Sequence, residues 1–595
     1  MTFPAKAAAA LLAGAALALY WSGLRHPLVF DDFHLSQYAL KTDYAQASAR
    51  FGLRWLSDAS FGAVHAVFGA DPLWQRVANV LLHAATALAL FGFFSRLFGA
   101  LLEDPPSRRL AFFGALWFLL HPVAVYGVAY LVERSIVLAT LFSTLALWCV
   151  LEGLLRRSAI WYAAAAAAYL LALFSKEHAV MVPAVAAALA ILVRGGWRGP
   201  GWGLALVAAA AATVIAQKRQ IFGTAYEPFA SDILGGAAPG AIDAALAYPL
   251  SVLNQATLFF RYLLTWLAPW PGWMSIDVRT SFPQELLGWP HTAGFAAWLA
   301  YPVAAAWLLR RRGRLGLLGF GLLYPWLLAL TEVVAVRVQE PFVLYRSYLW
   351  MSGLPAILPA VLPAMLKPLA PRWRTGVLAA AALALAIGAH GRLESFSSSL
   401  ELWDDAVRKN TDMRAPYVER AYVNRGLAHL GAARLEAAGA DFERALELNP
   451  RSPDAYLARG TLRLRSARLR EALEDLDRAI TLDAKYASAY NKRCIVKVGL
   501  GRTPDAIADC EKAVALDPRS DEAWINAGAV YRSLGRAADA AASYERALEL
   551  KPKSGSAHYN YGVLLLEAGR RDPAVRRHLA LACEARIAEA CDLLR

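Results

Sequence analysis

AAAALLAGAALALYWSGLRHPLVFDDFHLSQ, residues 7–37, runs from an uninterrupted apolar stretch straight into two adjacent acids. Lys6 precedes the run and small residues fill it, as in a signal peptide. The run nevertheless continues through Tyr20 and Trp21, and no small-x-small site lies just before the acids. It therefore reads as an uncleaved first membrane helix. Asp31 and Asp32 then sit where that helix leaves the bilayer. A carboxylate is costly to bury there and has little use if merely solvated.

Working outward, the composition is that of a membrane protein joined to something soluble. Of 595 residues, 58% are hydrophobic and 18% charged, and the apolar excess is uneven. Residues 1–390 carry the long apolar runs, whereas Arg, Glu, Asp and Ala recur at helical spacing from about 395 onward. The expected fold is all-α: a polytopic membrane domain (1–390), a connecting helix or degenerate half-repeat (391–418), a helical solenoid (419–588) and a short end (589–595). The net charge of +14 does not imply nucleic acid. Much of it lies in short Arg clusters between apolar runs, with no aromatic-rich basic face.

Those clusters set the topology: Arg108-Arg109, Arg156-Arg157, Arg194 with Arg198, Arg310 to Arg312 with Arg314, and Lys367 with Arg372 and Arg374. Placing all five in the cytoplasm gives about eleven crossings, at 6–23, 77–98, 110–128, 136–154, 159–175, 179–193, 201–217, 290–309, 315–331, 348–366 and 375–390. Residue 391 onward is then outside. Residues 248–268 are apolar enough to cross but would turn the Arg310 cluster outward, so they read as a re-entrant or interfacial helix. On this scheme the Asp31-Asp32 loop, the 121–135 turn, SKEH (175–178), the 217–290 loop and VLYRSYL (343–349) share the non-cytoplasmic face.

The soluble end repeats every 34 residues. Gly426, Gly460, Gly528 and Gly562 are in phase, with Cys494 in the gap. Tyr422, Tyr456, Tyr490 and Trp524 align, as do Ala445, Ala479, Ala513 and Ala547. Pro450, Pro518 and Pro552 are also in phase. Small residues let paired helices approach, aromatics fill the next layer, and Pro stops the second helix. The pattern resembles the tetratricopeptide repeat, in five copies from 419–452 to 555–588. Two residues before the Gly position stand Asn424, Asn526 and Asn560. Similar Asn ladders in the repeats of a nucleocytoplasmic glycosyltransferase grip peptide backbone, which makes these three candidates for peptide binding; the alternative is that Asn is simply common at this repeat position.

There is no CxxC and no Cys/His zinc spacing among the five cysteines. Cys149 reads as membrane-helix packing and Cys494, at a Gly packing position, as buried and free. Cys583 and Cys591 are too far apart on one continuous helix to bond, but a helix break would permit it. Their spacing resembles the cysteine-bridged Sel1-like repeats of exported proteins, and that resemblance implies a disulfide.

The membrane half carries an ordered set of motifs. FDDFHLS (30–36) follows the first helix. RWLSDASFGAVHAVFGADPLWQRVANVLLHAATALALF (54–91) contains Asn79 and His83, and HPVAVYGVAYLVERSIVLATLF (121–142) contains Tyr130 and Arg134. FSKEHAV (174–180), FFRYLLTWLAPWPGWMSID (259–277) and FVLYRSYLWMSG (342–353) follow. With the repeats behind them, these motifs resemble the transmembrane-and-tetratricopeptide-repeat family. Its members are similar to protein O-mannosyltransferases of the glycosyltransferase C superfamily.

The resemblance implies an inverting glycosyltransferase that moves a sugar or short glycan from a polyprenyl-phosphate carrier to an acceptor hydroxyl. Its base would be Asp31 or Asp32, with Asp32 slightly preferred. Arg134, Lys176 and Arg346 would bind the donor phosphate, though each also reads as an interfacial anchor, and Arg134 and Lys176, beside Glu133 and Glu177, as structural ion pairs. His121, Glu133, Glu177 and Tyr345 would border the substrate, His121 alternatively capping a helix turn. No metal is expected, although Asp31, Asp32 and His34 could hold a divalent ion. The aromatic residues around 266–273 read as an interfacial belt or a sugar-stacking surface.

The chain departs from animal members at Ala124, Val125 and Tyr126, where those carry His-Thr-Glu, so the resemblance does not fix the sugar. Ala, Arg and Gly richness suits a high-GC bacterium, which places the site and repeats on the periplasmic side of the inner membrane. The expected partners are the lipid-linked sugar, membrane lipid and a protein acceptor held by the repeats. The alternatives are a transferase acting on a lipid or polysaccharide, and a non-enzymatic scaffold that displays the repeats.

Overall fold

The computed structural model describes residues 4–35, 54–102, 107–194 and 242–595, with Tyr44, Gly52, Ala212, Ala216 and Gly223–Ala225 between them. Every regular element among the described residues is helical. Chain contacts divide it into two units, Met1–Val418 and Glu419–Arg595.

In the first unit seven helices are long and apolar enough to cross a membrane. They are Pro72–Leu101, Leu131–Arg156, Glu177–Arg194, His291–Leu309, Arg314–Val333, Leu344–Leu366 and Arg372–Glu394. The pair Arg108–Leu120 and Pro122–Val128, bent by 50°, makes an eighth if it is one span, and Ala5–Tyr20 and Ala159–Ser175 are shorter apolar helices. The expected crossing at 201–217 lies outside the described residues. Burial sorts the helices into layers. Leu131–Arg156 is 78% buried in its apolar window and forms the centre. His291–Leu309 and Arg372–Glu394 bury only 17% and 11%, so they present apolar surface outward, as lipid contact requires.

Helix Ala247–Leu267 covers the 248–268 segment and is not among the spans. Three of its side chains reach the 341–347 segment. Gln255 donates to the Pro341 carbonyl (2.8 Å), Tyr262 to that of Val343 (3.1 Å) and Trp266 Nε1 to Ser347 Oγ (2.9 Å). Helix Ser399–Lys409, in the segment read as a connecting helix or degenerate half-repeat, belongs to this same unit. Its Trp403 packs edge-on against Phe30 (5.2 Å between ring centres), and Asp405 is held by Arg392 (2.9 Å) and Lys409 (2.5 Å). Asn410, just past the helix, accepts from the Arg279 amide (2.7 Å) and donates to the Asp277 carbonyl (2.9 Å).

The second unit is five helix pairs, from Glu419–Gly431 with Leu435–Leu448 to Gly555–Glu567 with Pro573–Glu584, followed by Ala588–Leu594. The 34-residue phase has a clear packing cause. A Cβ at Gly426 would lie 2.5 Å from the Phe442 ring, and one at Gly528 equally close to Tyr544. A small residue on the first helix thus admits a large one sixteen positions later. In repeat three that pair is replaced by a disulfide, Cys494–Cys510, across a Cα separation of 5.5 Å. This corrects the expectation of a free Cys494. The reading weighed its Gly phase alone and overlooked that Cys510 holds the phase of Phe442 and Tyr544. Cys583 and Cys591 are also bonded. The helix break needed for this falls at Ala585–Ile587, where Arg586 takes φ +66°. Arg425, Arg459 and Arg493 close on Asp441, Asp475 and Asp509 at 2.6, 2.8 and 2.6 Å, tying the two helices of the first three repeats.

Candidate active site

The polar residues singled out at the membrane edge sit in short 3₁₀ turns at the ends of helices: Phe30–Leu35, Leu131–Glu133, Glu177–Met181, Leu330–Val333 and Leu344–Arg346. A tight turn redirects the chain and aims its side chains off the helix end. The first turn begins with Phe30 at φ +53°, a left-handed conformation that costs a non-glycine residue about 1–2 kcal/mol. Phe30 is held there between Tyr130 (5.6 Å, stacked) and Trp403.

This turn separates the two acids. Asp31 is half-buried, and its Oδ2 accepts from the Tyr130 hydroxyl at 2.6 Å. Asp32 is fully buried. Its Oδ1 accepts from the Val132 amide at 3.1 Å, and its Oδ2 has no hydrogen-bond partner. Burial pushes the Asp32 carboxyl up to about 7, against the opposing pull of Arg76. Of the two acids, Asp31 is the one with exposed surface, whereas Asp32, slightly preferred from the sequence, is enclosed. The His34 side chain lies outside the described residues, and no group of three potential metal ligands occurs among those described.

Around Asp31 a connected cluster forms. The Tyr130 ring faces that of Tyr345 (6.0 Å), and the Lys176 ammonium lies 5.0 Å over the Tyr345 ring. Lys176 donates to Glu133 at 2.5 Å with both side chains buried, and burial pushes the ammonium down from its ordinary range. Glu177 is bound by Arg54 (3.0 Å). Arg346 pairs with Glu332 (3.1 Å) and Glu340 (3.6 Å), and His178 Nε2 meets the other Glu332 oxygen at 3.0 Å. Asp31, Asp32, Glu133, Lys176, Glu177, Tyr345 and Arg346 are thus brought together.

Two predicted residues serve elsewhere. Arg134 is wholly buried in a closed cradle. Its Nε donates to Asn79 (2.6 Å) and its Nη2 to the backbone and side chain of Gln75 (2.9 and 2.7 Å), over the Phe61 ring. His121 takes its capping alternative. Its Nδ1 accepts from the Val123 amide (3.2 Å), its Nε2 donates to the Trp266 carbonyl (3.1 Å), and its ring stacks on Trp266 at 4.1 Å.

Sequence reasoning missed Tyr130, Arg54, Glu332 and Arg76 as site residues. Glu332 carried the same signal as Asp31, an acid closing an apolar run. Arg76 binds the carbonyls of His26 and Pro27 (3.1 and 2.6 Å) and of Ala129 (3.1 Å), joining the two loops that meet at Asp31. In the repeats, Asn424 and Asn560 spend their amide donors on carbonyls of their own helices, Arg420 and Ser556, both at 2.9 Å. Asn526 donates to Asn491 (2.9 Å).

The protein O-mannosyl-transferases TMTC2 of Mus musculus and Homo sapiens are each 34% identical over 145 residues. The match spans 24% of this chain and 16% of each relative. Among solved structures, YrrB, described as a TPR protein with an unusual peptide-binding site, is 22% identical. The alignment covers 31% of this chain and 92% of YrrB, with a TM-score of 0.25. TTC0263 of Thermus thermophilus is 25% identical over 29% of this chain and 98% of its own, with a TM-score of 0.27. The tetratricopeptide repeat family matches residues 385–453, 423–488, 457–521, 491–555 and 527–589. By its 34-residue phase, its helix pairs and this match alike, the C-terminal part of the chain is a tetratricopeptide-repeat array.

Proposed function

We propose that this chain is a membrane glycosyltransferase that moves a sugar or short glycan from a polyprenyl-phosphate carrier to a hydroxyl of a protein recruited by the repeats. The observation that carries the reading is Asp31, half-exposed and held by Tyr130, beside a buried set of cations and acids at the membrane edge. Asp31 takes the proton of the acceptor hydroxyl as its oxygen attacks the anomeric carbon. The bond from that carbon to the carrier phosphate breaks with inversion, and the phosphate leaves with its electrons. Lys176 and Arg346 meet the charge that develops there. Both already hold carboxylates, so the phosphate competes with Glu133 and Glu332 for them. Arg134 in this reading keeps the scaffold, because neutral groups already occupy its donors. The named activity of the mouse and human relatives supports the reading, as do the repeats. Two disulfides in the array fit the oxidising, periplasmic side. A scaffold that only displays repeats has no use for these buried charges.

The test compares wild type with Asp31→Asn and Asp32→Asn in the native cell, by intact mass spectrometry of exported proteins and surface glycans. Asp31→Asn, correctly inserted, is expected to remove one glycan mass from an exported protein, with transfer reduced roughly 10²-fold or more. Unchanged masses in both fractions would overturn the enzyme reading. Loss from surface glycans alone would redirect it to a lipid or polysaccharide acceptor.

A further inference from the structure

The loop that follows helix Ala247–Leu267 and leads into His291–Leu309 plays no part in the chemistry above, and its surface is inverted. Its charged pair is turned inward: Asp277 and Arg279 are 9% and 5% exposed and lie 2.7 Å apart. Its aromatic and aliphatic side chains are turned outward. Trp270 is 64% exposed, Leu287 83% and Trp289 87%, with Leu264, Leu267 and Leu286 also open. From residue 264 to 290, Glu285 is the one exposed ionisable side chain. A loop bathed in water has the opposite arrangement.

The loop also holds a shallow cavity of about 470 Å³, open to the surface and lined by Ala268, Pro269, Trp270 and Trp273. Gly272 lets the Trp270 indole fold across it, since a Cβ there would lie 2.8 Å from the indole nitrogen. Oriented recognition of a sugar needs convergent polar groups, and this lining is apolar. The exposed Leu264 and Leu267 lead along the helix toward the cavity, while Trp289 stands two residues before a helix that buries only 17% of its apolar window. The apolar surface is therefore continuous with a lipid-facing span.

We infer that residues 264–290 form a membrane-docking surface that lies in the interfacial layer of the bilayer, with the hydrocarbon chain of a bilayer lipid seated between Trp270 and Trp273. Indole rings favour that layer, where an apolar body and one N–H can both be satisfied. This anchoring is independent of any transfer reaction.

The test uses the full chain in lipid nanodiscs. Cys149 is the one free thiol, so a Cys149→Ala background carrying Leu287→Cys or Trp289→Cys takes a single spin label. Lys553→Cys, on an exposed residue of the repeats, is the aqueous control. Relaxation is measured with dissolved oxygen and with a water-soluble nickel chelate. At 287 and 289 oxygen is expected to collide several-fold more effectively than the chelate, with the order reversed at 553. Chelate access at 287 and 289 equal to that at 553 would overturn the inference. If Trp289→Cys does not insert, Leu286→Cys carries the same comparison.

Discussion

At the scale of single residues, the two neighbouring acids differ in burial. Asp32 is kept from water with one oxygen unpartnered, and its carboxyl is pushed up to about 7. Between the ordinary carboxylate range and that value, the folded chain holds a proton that the unfolded chain has lost. Folding stability therefore falls as pH rises from about 4 to about 7. Thermal unfolding in detergent should show wild type losing on the order of 4 kcal/mol across that window, with Asp32→Asn nearly flat. Parallel slopes in the two proteins would remove Asp32 as the cause. That the pair at 31 and 32 is a candidate was legible, because carboxylates at a membrane edge are costly. Which of the two faces outward was not, because it turns on the left-handed Phe30 just before them. The surroundings of Arg134 were hidden for a related reason. Its partners Gln75 and Asn79 lie 59 and 55 residues away, so no local pattern announces that its donors are spent.

At the scale of elements, the repeats were the most legible part, since a fixed period exposes every equivalent position. The same register explains where they differ. The turn between paired helices needs φ near +57° to +75°, supplied by Gly501, Gly535 and Gly569 but by Ala433 and Ala467 in the first two repeats. Ala467→Gly should raise array stability by about 0.5–1 kcal/mol, read by chemical denaturation, because glycine adopts this turn without strain. No gain would mean the turn is relaxed as it stands. Repeat three tests the small-against-large pair directly. Cys494→Ser should cost roughly 3 kcal/mol, the entropy of closing so short a loop. Cys494→Gly with Cys510→Tyr, which recreates the pair seen at Gly528 and Tyr544, should recover much of that loss without a covalent bond. If the double variant is no more stable than Cys494→Ser, the equivalence of bond and packing fails.

At the scale of the whole molecule, the boundary between units falls after helix Ser399–Lys409 rather than after the last long apolar helix. Trp403 braces Phe30, and Asn410 ties the 277–279 strand of chain. A chain ending at Val418 should therefore keep the melting behaviour of the membrane unit. One ending at Ser395 should lose roughly 3–5 kcal/mol from the missing indole alone. Equal melting of the two truncations would show that the helix is only a tether. Sequence composition drew its line near 390 because hydropathy changes there, but hydropathy does not record which side chains a polar helix buries against its neighbour.

The two disulfides also carry a consequence for biogenesis. With the repeats on the oxidising side, as proposed above, a chain that threaded the membrane the wrong way round would present them to a reducing compartment and form neither Cys494–Cys510 nor Cys583–Cys591. Its array would be looser in the third repeat and unlatched at its end, and so easier for a protease to grip. Correct orientation is thereby coupled to durability, and the thiol state of each molecule keeps a record of which way it was inserted.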